Sequence, residues 1–235
     1  MSPSITSVNP ALDKNAGYDP LKDFEVLGIA ARNSGVVAAR VSLPVASMGE
    51  LVTYAKAHPG QLTYASFGVG TSLHLHSEEL AQTLGISLRH IPYKGEAQAM
   101  NALVAGEVDL MLYVTGPIVR FVDSGRVRAL AATSNQRWSS LPKVPSFAES
   151  GVPQLQNYAY QSWVGFVLPA GAPTDVVRRL VQSLSAAAAK PDLRRTLEAQ
   201  GFEVIDAKTS NMRQTMNGEL TRNRNLLASG RVQLD

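Results

Sequence analysis

Apolar stretches rich in β-branched residues alternate along this chain with stretches whose apolar residues recur every three or four positions. That alternation predicts an α/β fold, a mostly parallel sheet flanked by helices. Strands are expected at Glu25–Ala30, Val36–Val41, Thr63–Ser66, Ser87–Ile91, Val108–Val114, Val127–Ala131 and Tyr160–Leu168, most of them bounded by Gly, Pro or polar turn residues. Helices are expected between them. Ser47 followed by Glu50 forms a capping-box pattern that opens a helix ending before Pro59-Gly60. After Pro173, Val176, Val177, Leu180, Val181 and Leu184 recur at helical spacing, Ala186–Ala189 extends that helix, and Pro191 ends it and begins another. Ser210–Ala228 is polar apart from Met212, Met216, Leu220 and Leu227, the pattern of a surface helix packed along one stripe. Ser134–Pro153, with three prolines and a short helical stretch around Ser146–Ser150, reads as a long ordered connection. No fixed-period repeat is visible.

Composition narrows the possibilities. A chain of 235 residues, 45% hydrophobic and 17% charged, can bury a sizeable core and fits one large or two small domains. The net charge of +3 is spread along the chain with no dense Lys/Arg run, which argues against nucleic acid as a partner. The lack of cysteine suits an oxidising compartment and excludes a thiol nucleophile. No apolar run approaches the roughly 18 residues that span a bilayer. The opening Met1-Ser2-Pro3-Ser4 has neither the basic nor the apolar region of an export signal.

The most informative local stretch runs from Tyr64 to His74: a strand, a loop of glycines and hydroxyls, then the amphipathic helix Leu75–Leu84. Backbone N–H groups at the helix start, the positive end of its dipole and the hydroxyls of Ser66, Thr71 and Ser72 can together hold an anion, and a carboxylate fits best. A nucleotide phosphate fits less well, because the P-loop Lys and the third Gly of the dinucleotide fingerprint are both absent. The same residues also suit an ordinary helix cap.

Ile91–Glu96 forms a second strand-to-helix junction, leading into a helix over Ala97–Val104, and Tyr113-Val114-Thr115-Gly116-Pro117 forms a third. In an open α/β sheet such carboxyl-end junctions line the ligand crevice, which Tyr113 and Thr115 would face. Lys94 could draw in an anion, although a lone loop Lys is usually just solvated. Asp109 has no acid or base partner placed beside it, so it reads as a turn or capping carboxylate. His74 and His76 are two apart and point away from each other on a helix, so they do not form a chelating pair; His74 is expected to pack or bond locally. No Gly-x-Ser-x-Gly elbow occurs. Trp138, Trp163, Tyr158 and Tyr160 are not interleaved with basic residues and read as core or hinge packing.

Several stretches together, in their order and spacing, resemble the tripartite tricarboxylate transporter substrate-binding family, the Bug receptors. They are Tyr18–Phe24, Tyr54-Ala55-Lys56 with Pro59-Gly60, Ser66–Leu75, Pro92–Gly95, Gly106–Asp109, Leu130–Ser134, Leu141–Pro145, and Trp163-Val164-Gly165 with Pro169–Pro173. The resemblance implies a two-lobed, type II periplasmic-binding-protein-like α/β fold, with residues 63–161 as the second lobe and 1–62 plus 162–235 as the first. The crossings would lie near Leu62–Thr63 and Gln161–Trp163. It implies an extracytoplasmic, periplasmic receptor that binds a small organic carboxylate and delivers it to the membrane components of a transporter, with no catalysis, cofactor or metal. The carried-over ligand-binding set is Ser66, Phe67, Gly68, Gly70, Thr71, Ser72, Tyr93, Tyr113 and Thr115.

The chain departs from the family pattern in places. Val69, Leu73 and Tyr113-Val114 replace residues that are usually polar or small, and Phe67 is bulkier than usual, so a more apolar ligand side is expected. The first strands of the first lobe and their Gly-rich loop have no counterpart before Ser2–Pro10. An incomplete first lobe, weak ligand binding and self-association are therefore expected. The alternatives are an enzyme on a similar scaffold acting on a small carboxylic acid, and a carboxylate-sensing module.

Overall fold

A computed structural model describes Met1–Asp13, Asn15–Gly230 and Val232; the side chain of Thr115 lies outside the described set. Among these residues the chain forms, after a π-helical turn at Ser4–Val8, α1 (Asn9–Leu12), β1 (Phe24–Arg40), α2 (Met48–Ala57), β2 (Thr63–Ser66), α3 (Ser72–Leu84), β3 (Arg89–Pro92), α4 (Glu96–Ala105), β4 (Leu110–Val114), α5 (Thr115–Asp123) and β5 (Val127–Ala132). A 3-10 turn at Pro153–Leu155 leads to β6 (Gln161–Pro169), α6 (Thr174–Ala188), α7 (Pro191–Ala199), β7 (Glu203–Val204), a second 3-10 turn at Ala207–Thr209 and α8 (Met212–Ala228). The α/β class is as expected. The two N-terminal candidate strands fuse into the single 17-residue β1.

The chain divides into two units, Met1–Asn33 with Ser162–Val232, and Ser34–Gln161. The chain passes between the units at Gln161–Ser162 and also at Asn33–Ser34, whereas the expected first crossing was Leu62–Thr63. The reason is strand pairing. Gly35–Ala39 pairs with β4 and Val36–Arg40 with β5, which ties the segment before Leu62 to the second unit.

In the second unit the strand order is β3-β2-β4-β1-β5. β2 runs parallel to β3 and β4, whereas β1 is antiparallel to β4 and β5. The sheet is therefore mixed and not mostly parallel. Side chains alternate between its faces with period two. Tyr64, Val37, Ala39, Leu110 and Leu112 enter one core with Leu51 and Ala55 of α2 and Leu80 and Leu84 of α3. Ala65, Val36, Ala38, Met111 and Tyr113 enter the other with Ala99 and Leu103 of α4 and Ile118 of α5. Ser47 caps α2 by accepting the Glu50 N–H at 3.2 Å, as the capping-box pattern implies, while the Glu50 carboxylate takes the N–H of Ala46, one residue before the cap, at 2.7 Å. The connection Ser134–Pro153 is ordered, but its expected helical stretch near Ser146–Ser150 is a run of turns anchored by the fully buried Phe147 and a bridge from Ala132 to Ser146.

In the first unit, the N-terminal part of β1 pairs with β6 and, antiparallel, with β7. Its core is Ile29, Trp163, Met212 and Met216. A Cβ on Gly165 would come within 2.9 Å of the Gly28 carbonyl and 2.7 Å of Met212 Sδ, so only Gly permits that close approach. Along α8 the buried stripe is Met212, Met216, Glu219, Leu220, Asn223 and Leu226; Leu226 takes the inward place expected of Leu227. The amphipathic helices α6 and α7 bury only Ala188 between them.

Candidate ligand-binding site

Because β3, β2 and β4 are parallel, their carboxyl ends share one edge of the sheet, and the three junctions singled out in the sequence leave from it. Tyr93 N–H donates to the Ser66 carbonyl at 3.0 Å, which ties the second junction to the first. The opposite edge belongs to Asp109. Its carboxylate accepts Arg40 Nε at 2.7 Å, and the Thr63 N–H and hydroxyl at 2.8 and 2.9 Å. Burial pushes Asp109 up, but the bonds from Thr63 and Arg40 outweigh it and hold the carboxyl below its ordinary value. Asp109 is the structural carboxylate that the sequence suggested.

The loop from Phe67 to Thr71 turns tightly because Gly68 and Gly70 take φ of +135° and +73°. Thr71 caps α3: its hydroxyl donates to the Gly68 carbonyl at 2.8 Å and accepts the His74 N–H at 3.4 Å. The N–H groups of Ser72 and Leu73 then lie in the first turn of a 13-residue helix, where no intrahelical acceptor exists. The Ser72 hydroxyl sits beside them, half-buried and 3.3 Å from His76 Nδ1.

Two residues of the expected contact set, Ser66 and Tyr113, are buried behind this surface, and a third, Gly70, turns its N–H away from it. Ser66 is fully buried. Its hydroxyl donates to the Gly68 carbonyl at 3.0 Å, accepts the Gly68 N–H at 3.1 Å and lies 2.6 Å from His90 Nε2. Gly70 directs its N–H inward to His74 Nδ1 at 3.1 Å. Tyr113, expected to face the crevice, is 1% exposed, because period-two alternation turns it into the core beneath Phe67, whose ring meets it edge-on at 5.7 Å. The Tyr113 hydroxyl bonds to the Glu96 carboxylate, and burial together with that carboxylate raises the phenol well above its ordinary value. Phe67, Gly68, Gly70, Thr71, Ser72 and Tyr93 remain partly accessible, with Val69 exposed beside them. Thr115 opens α5, and its side chain lies outside the described residues. Lys94 is exposed.

Sequence reasoning missed the aromatic and imidazole stack beneath the loop. His74 of α3 and His90 of β3 stack at 3.9 Å and 10°, and Tyr64 stacks on His90 at 4.9 Å. The Tyr64 hydroxyl is bonded to the Glu78 carboxylate. Burial lowers His74, and burial followed by the neighbouring His74 lowers His90 to about 4, so both rings are neutral at pH 7. The available signal was the period-two placement of Tyr64 and Ser66 on one strand face. The register that sets His90 opposite Tyr64 is not readable locally. Among the described residues, no group of three or more potential ligands could hold a metal, and no helix is long and apolar enough to cross a membrane.

The family model described as "Tripartite tricarboxylate transporter family receptor" matches residues 1–230. A UPF0065 protein of Bordetella pertussis strain Tohama I is 32% identical over 218 residues, covering 92% of this chain and 66% of that protein. The UPF0065 protein from the tcbD-tcbE intergenic region of Pseudomonas sp. strain P51 is 32% identical over 215 residues, 92% of this chain and 63% of that protein. The chain thus spans somewhat less than two thirds of each of these relatives. Among solved structures, R. palustris Rpa4515 with adipate matches 97% of this chain and 76% of its own at 28% identity, with a TM-score of 0.81. The periplasmic binding protein BugD matches 98% and 77% at 32% identity and TM-score 0.79. MatC from Rhodopseudomonas palustris with bound malate matches 94% and 76% at 25% identity and TM-score 0.77.

Proposed function

The chain belongs to the tripartite tricarboxylate transporter receptor family, and from that premise we propose that it is a periplasmic receptor for a small organic carboxylate, handing it to the membrane components of a transporter without turnover. The observation that carries this reading is the likeness over nearly the whole chain to structures holding adipate and malate. The open first turn of α3 supplies the matching chemistry. In this reading one ligand carboxylate accepts the N–H groups of Ser72 and Leu73 and the hydroxyl of Ser72, with the helix dipole favouring its charge. Phe67, Val69 and Tyr93 form the apolar surroundings, and Gly68 and Thr71 shape the turn. His74 and His90 beneath the loop are neutral and engaged in internal bonds, and Asp109 is held at the other sheet edge, which supports binding over acid–base chemistry.

Isothermal titration calorimetry with adipate, malate and citrate at neutral pH tests the proposal. Saturable binding of at least one, weakened roughly tenfold by Ser72→Ala, is the expected result. No heat from any of these acids with folded protein would refute it.

A second reading, self-association, is favoured by Val164 and Phe166 of β6, which are 43% and 46% exposed in the first unit. Sedimentation velocity over a range of concentrations should show a rising mean mass; a constant monomer mass would exclude it.

A further inference from the structure

The Gly70 N–H has one described partner, the Nδ1 of His74, at 3.1 Å. A neutral imidazole offers one donor and one acceptor nitrogen, so this bond requires Nδ1 to be bare and places the ring proton on Nε2. On the stacked partner, Ser66 already donates to the Gly68 carbonyl, so His90 Nε2 carries the proton and donates to Ser66 Oγ. The pair therefore grips the loop at two points, Gly70 through His74 and Ser66 with Gly68 through His90. The two grips respond differently to acid. A doubly protonated His90 still donates from Nε2. A doubly protonated His74 presents N–H to N–H at Gly70, and the bond is lost.

Among the described residues, few titratable or charged groups face the pair. Tyr64 from β2 stacks on His90 at 4.9 Å and lies 6.5 Å from His74; Glu78 of α3 is held by the Tyr64 hydroxyl; and the two rings face each other. The neighbouring His76 is turned to the Ser72 carbonyl at 2.6 Å and to the ring of Tyr160 at 3.8 Å. Two cationic rings at 3.9 Å repel, so the stack favours the uncharged form of both.

We propose that His74 is a positioning residue for the ligand loop. Its bare Nδ1 latches the Gly70 N–H and thereby aims the first N–H groups of α3 at the carboxylate, and protonation of that nitrogen unlatches the turn and weakens binding in acid. The ligand half of this statement rests on the carboxylate reading above; the latch itself does not.

The test compares wild type, His74→Asn and His74→Ala. Asn places a carbonyl oxygen close to the Nδ1 position and accepts the Gly70 N–H without titrating. At neutral pH, adipate affinity is expected to be within about threefold of wild type for His74→Asn and roughly tenfold weaker for His74→Ala. As pH falls, wild type should lose affinity more steeply than His74→Asn, while protonation of the ligand affects both equally. Long-range proton–nitrogen NMR supplies a readout that needs no ligand. Nδ1 of His74 should be unprotonated at neutral pH, and the Gly70 amide resonance should move with the same midpoint as His74. A proton on Nδ1 at neutral pH, a Gly70 amide indifferent to His74 titration, or a His74→Asn variant as weak as His74→Ala would overturn the proposal. If wild type binds none of the acids, the carboxylate reading falls, and the NMR titration still decides the latch.

Discussion

The two units place similar sequence patterns in opposite circumstances. In the second unit both faces of the sheet are covered, and Tyr64, Leu75, Leu103, Met111 and Phe147 are almost fully buried. In the first unit α6 and α7 carry equally clear apolar stripes, yet Val176 and Leu193 remain 41% and 37% exposed. Amphipathic periodicity states which face of a helix seeks a partner; only a second layer supplies one. The buried ionisable groups differ too. The second unit holds neutral imidazoles, whereas the first holds Glu219, whose carboxylate accepts Trp163 Nε1 at 2.9 Å and the Ser7 hydroxyl at 3.3 Å. Burial pushes Glu219 up against those bonds.

The comparison can be broken most directly by truncation. Phe147→Ala removes a fully buried ring and should destabilise the second unit by about 3–5 kcal/mol in urea unfolding. Leu193→Ala on α7 should change stability by no more than about 0.5 kcal/mol. Equal costs for the two substitutions would erase the contrast.

A smaller effect is expected at the structural edge of the second unit. Asp109→Asn keeps shape but loses the charge that Arg40 and both Thr63 donors address, and should cost about 2 kcal/mol. Because the Asp109 carboxyl is lowered by its partners, its contribution is present above its ordinary value of 3.8 and is lost as pH falls below it. The wild type and the Asn variant should therefore converge in stability in strong acid, and a cost independent of pH would remove the charge from the explanation.

The finest distinction is in pH dependence, which the two tryptophans can report separately, since Trp138 belongs to the second unit and Trp163 to the first. His90 is lowered to about 4, so its contribution is full above its ordinary 6.5 and is lost as pH falls towards 4. Glu219 is raised, so its contribution is full below its ordinary 4.5 and is lost as pH rises through the folded value. Unfolding followed by Trp138 in Trp163→Phe should weaken with acid by about 1–2 kcal/mol, a figure discounted for partial exposure of His90. Unfolding followed by Trp163 in Trp138→Phe should shift the opposite way, and adding Glu219→Gln should flatten it. Parallel pH profiles would show that the buried groups do not set the difference.

Much of this was legible locally. Ser47 and Glu50 announced the start of α2, Pro173 and Pro191 bounded α6, and the Gly68–Ser72 stretch announced a turn into a helix, because caps and turns act over a few residues. Tyr113 was misplaced for a reason that is also local. Strand parity allows two faces, and which of them looks inward depends on what covers the sheet. Ser66 and Gly70 were read as donors to a ligand when their bonds run to His90 and His74, which come from a neighbouring strand and the following helix.

The sequence alone determined the α/β class, the positions of most helix starts, the family and the loop that opens α3, since these follow from short-range periodicity, capping and ordered motifs. Tertiary structure decided that β1 joins the second unit antiparallel, that Tyr113 is core, and that a neutral histidine pair stands under the loop. Those outcomes depend on register between distant segments and on burial. Both are properties of neighbours that a residue acquires only when the chain has packed.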